Sequence, residues 1–281
     1  MPTKMDDIHN DYVFGRLSES SSKSSELLDG LSVTLDPNTI RHLTQLGVSP
    51  GWSCLEVGGG SGTVAKWLSA AVRSNGNVLV TDIDTRFIET RISESQLNNM
   101  KVIRHDITRE DLPEGKFDLV HERLVLVHLP QRDQVFRKMV AALRPGGHIL
   151  IEAFDPTALG DDYSIGPPES VKLYAKLAKA RLTVMKIHGA DDPFYGRKQI
   201  DLLHSGGLAE IGMEGYTTIW RGGSPSSLID KSTFARIRDE AIISGLLSSK
   251  EFEEGMKVFD DPNWGRIAPL LISAWGTKRI E

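Results

Sequence analysis

Short apolar runs alternate with helix-period stretches through the first half of the chain. "CLEV" (54–57), "NVLVTD" (77–82), "KVIRHD" (101–106), "FDLVHE" (117–122) and "HILIEAF" (148–154) are rich in Val, Ile and Leu and read as strands. Between them, Val64, Leu68, Ala71 and Val72 fall at helical spacing. A short helix follows near "TRFIETRI", and Val135, Phe136, Met139, Ala142 and Leu143 form an amphipathic helix closed by "RPGG". Upstream, Asp36-Pro37 predicts a helix start, aspartate at the N-cap and proline at the first helical position. Ile40, Leu43 and Leu46 continue that helix, and Gly47 ends it. Strands alternating with helices of this length predict an α/β fold with a doubly wound, mainly parallel sheet.

The second half is less regular. Residues 167–187 predict a helix with Val171, Tyr174, Leu177, Ala178 and Leu182 on one stripe and lysines 172, 176 and 179 facing water. Inserted after strand five, it is expected to roof the carboxyl edge of the sheet. "GRKQIDLLHSGG" reads as a shorter helix, and "EGYTTIW" and "IAPLLISAWG" as strands six and seven. Two helices lie between these strands, near 228–243 and 248–259, the second opening with a capping box from Ser248 to Glu251. "SESSSKSSE" (18–26) reads as a solvated loop or a weak helix. With no interdomain linker visible, the chain reads as one domain, 1–281.

Composition narrows the partners. The 281 residues are 40% hydrophobic and 25% charged, ordinary values for a globular protein, and suffice for a full core. A net charge of -5 argues against nucleic acid or an anionic membrane as partner. The single cysteine, Cys54, sits within an apolar strand, which excludes a disulfide framework and disfavours a catalytic thiol. No apolar run reaches the ~18 residues of a membrane span. "MPTKMDDIHNDY" is acidic and without an apolar core, so no signal peptide is expected and a cytoplasmic location is.

Chemistry concentrates in "LEVGGGSG" (55–62). Glycines at the exit of a strand serve a tight turn to a helix or the close approach of a nucleotide-like ligand. The dinucleotide pattern G-x-G-x-x-G fails, because its third glycine would fall on Thr63. What fits is G-x-G-x-G at Gly58, Gly60 and Gly62, preceded by Glu56. The second strand ends in Asp82, placed to accept both hydroxyls of a ribose, while Asp84 is the better cap for the following helix. The third strand ends in Asp106, which could receive the exocyclic amino group of an adenine. Acids closing three successive strands on one sheet edge point to a ligand there.

These residues resemble the class I S-adenosylmethionine-dependent methyltransferases. "LEVGGGSG" is similar to that family's first motif, "VLVTDID" to its second, "RHDI" to its third, and "FDLVHERLVLVHLP" with "LRPGGHIL" to its fourth and fifth. The flanks "HGADDPFYGR" and "FDDPNWGRIAPLLISAWG" resemble the bacterial small-molecule branch of natural-product and quinone-like type. The resemblance implies a seven-stranded Rossmann-like sheet with inserted lid helices: residues 1–47 as an N-terminal lid segment, 48–155 as the cofactor core and 156–281 as substrate-side helices and last strands. It implies S-adenosylmethionine as cofactor. Glu56 would steady the loop and the amino group of the methionine portion, with Gly58, Gly60 and Gly62 packed against that portion and the ribose. Asp82 would hold the ribose, Ile83 pack on adenine, and Asp106 and the Ile107 N–H bind the adenine edge. Arg123 would lend its backbone near the methionine, and Tyr12 would close the site as a lid residue.

Methyl transfer from a sulfonium needs in-line positioning, and a base only where the acceptor must lose a proton. His121, Glu122 and His128 are candidates for that base. His121 reads equally as a satisfied core histidine, and His128 as a cap or packing residue. Glu152 and Asp155 could bind a polar acceptor or merely cap, and Tyr163, His188 and Trp220 could line an acceptor pocket or belong to the core. No [DN]-P-P-[YFW] tetrad follows strand four, and no acidic pair suits a magnesium site. The expected partner is therefore a small-molecule methyl acceptor, with no nucleic acid, membrane or metal, and a homodimer is compatible. Two alternatives stand: a protein of this fold that binds the cofactor without transferring methyl, and a nicotinamide-dependent oxidoreductase, disfavoured by Thr63 and by the acid ending strand three.

Overall fold

The computed structural model describes residues 21–92, 98–156, 164–187 and 195–280. Its described residues divide into two compact units.

The larger unit takes Leu35–Asp155, the described part of Phe194–Tyr216, and Leu271 onward. Its strands are β1 (Ser53–Val57), β2 (Asn77–Asp82), β3 (Met100–Arg104), β4 (Phe117–Arg123), β5 (Leu143–Asp155), β7 (Ala209–Tyr216) and β10 (Leu270–Thr277). They form one seven-stranded sheet in the order β3-β2-β1-β4-β5-β10-β7. β1 pairs in parallel with β2 and β4, β2 with β3, and β4 with β5, while β7 pairs antiparallel with β10. The doubly wound expectation holds. The order reverses between β1 and β4, which places the switch point beside the glycine loop.

The two sheet faces bury different cores. On one face Cys54, Leu119 and Leu150 pack with Leu43 of α1 (Ser21–Gln45), with Val64, Ala65, Leu68 and Val72 of α2 (Thr63–Val72), and with Ile88 of α3 (Arg86–Ile92). On the other, Leu55, Val57, Val120, Ile149 and Ile151 pack with Val135, Phe136 and Met139 of α4 (Arg132–Ala142) and with Tyr195 and Leu203 of α6 (Tyr195–Ser205). The apolar stripes read from the sequence are these buried faces.

Several boundaries differ from the sequence reading. Asp36-Pro37 does not start a helix: α1 already runs from Ser21, with Pro37 inside it. The Asp36 carboxylate is engaged elsewhere, accepting from Arg123 Nη2 at 2.8 Å. Pro37 lacks the N–H that would bond the Val33 carbonyl, and the side chains of the next turn anchor to the sheet instead. The serine-rich stretch, from residue 21 on, is helical. "RPGG" lies within β5 rather than closing α4. "EGYTTIW" divides into β7 and β8 (Ile219–Arg221), and "IAPLLISAWG" into β9 (Gly265–Ile267) and β10, because Pro269 cannot donate to a ladder.

The smaller unit explains those divisions. It comprises the described residues up to Thr34, those of 156–193, and Thr217–Leu270. A three-stranded antiparallel sheet, β6 (Ser164–Ile165), β9 and β8, belongs to it. So do α5 (Pro168–Ile187), α7 (Pro225–Arg236), α8 (Arg238–Ile243) and α9 (Ser249–Met256), the last opened by the expected Ser248–Glu251 capping box. These segments bury a core of their own, with Tyr174, Leu177, Phe234, Phe252, Phe259 and Trp264 at its centre. Arg266 forms a bidentate pair with Asp230 at 2.9 and 2.6 Å and lies 4.8 Å over the Trp220 ring. The lysines at 172, 176 and 179 face water as expected. Among the described residues no helix is long and apolar enough to cross a membrane.

α5 and α9 meet so closely that a Cβ on Gly255 would stand 2.8 Å from the Leu177 side chain. Gly255→Ala and Leu177→Ala are each expected to destabilise, the second by about 2–5 kcal/mol. The double variant should lose less than their sum, since the truncated Leu177 makes room for the methyl. Urea unfolding of the four proteins checks this, and simple additivity would contradict the contact.

Candidate cofactor site at the carboxyl edge

The glycine loop is held by the neighbouring strand. Gly58 and Gly59 both donate to the Thr81 carbonyl, at 2.8 and 3.1 Å, and Gly62 donates to Gly59 at 2.7 Å. Gly58 sits at φ 71°, and a Cβ there would collide with Val125 in the loop after β4. Asp82, at the end of β2, accepts the Gly60 N–H through Oδ2 and the Asp84 N–H through Oδ1, each at 2.9 Å. Burial raises its carboxyl above the usual range, against those N–H bonds. Asp84 acts as the local cap, receiving the Arg86 N–H at 3.2 Å and pairing with its guanidinium.

Register places a second set of side chains on one face. Glu56 lies beside His121, and Arg123 beside Glu152, so all four share the α1 face. His121 Nδ1 is 2.7 Å from Glu56 Oε2, and Nε2 is 3.4 Å from Glu152 Oε2. Thr39 Oγ1 and Ser273 Oγ donate to the two Glu152 oxygens at 2.5 Å. Arg123 donates to Thr39 Oγ1 and to Asp36, both at 2.8 Å. Burial alone would lower the His121 pKa; the Glu56 carboxylate, then the bonds to Glu152 and Glu56, overcome this and hold it up to about 10. Burial would likewise raise Glu152, but the His121 bond pulls it below the ordinary value.

Of the two readings of His121, this geometry favours the satisfied core histidine over the general base. The ring is fully buried, both nitrogens face carboxylates, and a ring already protonated at neutral pH has no lone pair to accept a proton. Glu152 is likewise closed within this network rather than open to an acceptor. Asp155 pairs with Arg197 at 2.5 Å. Trp220 is buried in the smaller unit beneath Arg266. His128 ends a 3-10 turn, Leu126–His128, just past β4 and is partly exposed. Tyr12, Tyr163 and His188 lie outside the described residues.

The third strand end is more self-contained than expected. Asp106 Oδ1 accepts the Thr108 N–H at 3.0 Å and its hydroxyl at 2.6 Å, and Arg109 approaches Oδ2 at 3.4 Å. Ile83 and Ile107 flank the strand ends; the Ile83 carbonyl accepts from Arg104 at 3.1 Å and that of Ile107 from Lys138 at 3.2 Å. Thr39, Asn38 and Ser273 went unrecognised in the sequence. Their signal was indirect: His121, Glu152 and Ser273 are polar residues inside apolar strands, and buried polar groups require partners.

On the opposite face, Glu122 Oε2 accepts the N–H groups of Val125 and Leu126 at 2.8 and 3.3 Å and so fixes the loop that abuts Gly58. Leu124 within this loop holds φ 61°, a strained value for leucine, with its N–H bonded to the Glu152 carbonyl at 2.8 Å. Glu122 Oε1 is buried with no hydrogen-bond partner among the described residues. Burial raises the carboxyl to about 7, against the two N–H bonds.

A glycine loop tied to an acidic strand end sits at the switch point of the doubly wound sheet, the place where such sheets hold ligands. Residues 55–149 match the family model described as a methyltransferase domain. The ubiquinone/menaquinone biosynthesis C-methyltransferase UbiE of Laribacter hongkongensis is 26% identical over 181 residues, 60% of this chain and 73% of that protein. Its counterpart from Hahella chejuensis is 30% identical over 114 residues, 38% of this chain and 45% of that protein, so the chain spans about half the length of that relative. Among solved structures, a Haemonchus contortus phosphoethanolamine N-methyltransferase 2 with bound S-adenosylhomocysteine gives a TM-score of 0.57 at 14% identity, covering 96% of this chain and 61% of that one. Over residues 55–149 the chain is similar to methyltransferase domains, and its fold is shared with solved S-adenosylmethionine-dependent methyltransferases.

Glu122 makes the fold pH-sensitive. Its folded pKa of about 7 exceeds the ordinary 4.5, so across that window the native chain keeps a proton that the unfolded chain has released. Its contribution therefore falls as pH rises from about 4.5 to about 7. Glu122→Gln lacks this slope, and its stability relative to the parent is expected to climb through the window and level off above it. Denaturant titrations at about one-unit steps from pH 5 to pH 8 check this. A difference that stays constant with pH would contradict it.

Proposed function

We propose that this chain transfers a methyl group from S-adenosylmethionine to an oxygen, nitrogen or carbon nucleophile of a small, partly hydrophobic molecule. The observation that carries the reading is the link between Asp82 and Gly60. It sets a carboxylate and a close-packed glycine backbone side by side at the switch point, an arrangement suited to a ribose diol and the chain that follows it. The quinone-biosynthesis role of these relatives supports an acceptor of partly apolar kind. The net charge of -5 supports a small molecule over nucleic acid.

Bound S-adenosylmethionine supplies a methyl group already activated on a sulfonium. In this reading Glu56 receives the ammonium of the methionine portion, Gly58, Gly60 and Gly62 let the backbone approach it, and Asp82 accepts from the ribose. Ile83 packs on adenine, and Asp106 and the Ile107 N–H take its polar edge. Arg123 contributes its backbone, since its guanidinium is committed to Thr39 and Asp36. Tyr12 is proposed as a lid residue. With His121 locked between carboxylates, His128 stands as the general base for acceptors that must lose a proton.

Asp82→Ala is expected to weaken S-adenosylmethionine binding about ten- to a hundredfold while leaving the fold intact, because it removes a charged acceptor at a strand end. Calorimetry with circular dichroism tests this; unchanged affinity would overturn the assignment. Mass spectrometry of the purified protein should show bound S-adenosylmethionine or S-adenosylhomocysteine, and bound NAD would refute the reading.

His128→Ala is expected to keep cofactor affinity and to lower transfer roughly 10²–10⁴-fold with a proton-bearing acceptor. Transfer within a few-fold of the parent would remove it as the base.

A further inference from the structure

Glu56, His121 and Glu152 form a row across β1, β4 and β5, and the two ends of that row differ. Glu152 is closed off, with Thr39 Oγ1 on one oxygen, Ser273 Oγ on the other, and no exposed side-chain surface. His121 has none either, whereas the Glu56 side chain keeps 5%. The row thus opens to its surroundings at Glu56 alone, one residue before Val57 leads into the glycine loop. Glu56 Oε2 accepts from His121 Nδ1 at 2.7 Å, so the carboxylate's rotation is set by the ring, and the ring's by Glu152.

We propose that His121 is a positioning residue for the cofactor: anchored by Glu152, it holds the Glu56 carboxylate in the one orientation that meets the cofactor's ammonium. The proposal rests on the reading that Glu56 receives that ammonium. A carboxylate free to rotate must be ordered when the cofactor binds, and that entropic cost lowers affinity; a hydrogen-bonded ring removes it beforehand. The charge balance acts in the same direction. Two carboxylates share one imidazolium, which leaves a net negative charge whose open end is Glu56, complementary to an ammonium and of no use to the adenosine portion. Thr39 of α1 and Ser273 of β10 become part of the device, because they prevent Glu152 from turning away from the ring.

Two probes separate this role from a general loss of structure. S-Adenosylhomocysteine carries the ammonium; 5′-methylthioadenosine keeps the adenosine and the sulfur but lacks the amino-acid portion. Both are titrated calorimetrically into the full chain and into the variants His121→Leu, His121→Asn and Glu56→Gln, with melting curves recorded for each. Asn places its amide nitrogen where Nδ1 lies, keeping the donor to Glu56 while losing the link to Glu152. His121→Leu is expected to weaken S-adenosylhomocysteine about ten- to a hundredfold and 5′-methylthioadenosine less than about twofold, with His121→Asn between parent and Leu. Glu56→Gln should show the same selective loss. If His121→Leu does not fold, His121→Asn alone decides by the same ratio of the two affinities. Equal weakening of both probes in the His121 variants makes the ring merely structural and overturns the proposal. Unchanged S-adenosylhomocysteine binding in them, with a loss in Glu56→Gln, overturns it while sparing the Glu56 reading. Unchanged binding in Glu56→Gln overturns that reading, and the proposal with it.

Discussion

One imidazolium held between two buried carboxylates sets the terms for the rest of the larger unit. Moving Glu56 and Glu152 out of water is costly, and only a positive charge between them with full hydrogen bonding offsets it. His121 supplies that charge and two donors; Thr39 and Ser273 supply the remaining donors to Glu152. The residues come from α1, β1, β4, β5 and β10, so five elements must be in register before the charges are matched. Removing any one member leaves a buried carboxylate or imidazolium uncompensated, which costs more than the pair contributes when complete.

The glycine loop inherits its shape from both faces of the sheet. On the α1 face the charge row ends at Glu56, immediately before the loop. On the α4 face Glu122 gathers the Val125 and Leu126 N–H groups and presses the post-β4 turn against Gly58. Leu124 sits between the two in a left-handed conformation, its N–H returned to the Glu152 backbone. A strained residue persists only where its surroundings over-determine it. Here consecutive residues of β4, His121, Glu122 and Arg123, point alternately to the two faces and each serves a different support.

The parts of this arrangement that obey local rules were legible in the sequence. Five apolar strands, the loop glycines, the acids at 56, 82 and 106 and the Ser248 capping box follow from period, turn chemistry and strand ends. Asp36-Pro37 misled because its local signal is genuine; a tertiary partner, Arg123, claims the aspartate, and the helix continues through the proline. "EGYTTIW" misled because one extended run feeds two sheets, and no periodicity marks where a chain leaves a ladder. His121 reads equally as a base or a core residue until register reveals a carboxylate on each side. That information is non-local, since Glu56, His121 and Glu152 lie on three different strands.

Polarity is graded along the central strands, and the gradient accounts for which half is structural. At the amino half, Cys54, Leu119 and Leu150 form a dry layer, where burial pushes the Cys54 thiol far above its ordinary range and leaves it chemically inert. Two residues further along each strand the same face carries Glu56, His121 and Glu152 instead. An apolar layer of this kind fixes strand spacing and register without regard to charge. That fixed register is what brings one ring within hydrogen-bond reach of carboxylates on both neighbouring strands. Charged residues could not assemble the sheet by themselves, because their matching is favourable only after the strands are in place. The dry half therefore supplies the free energy of folding, and the polar half at the carboxyl edge uses that rigidity to hold charges where a ligand can meet them.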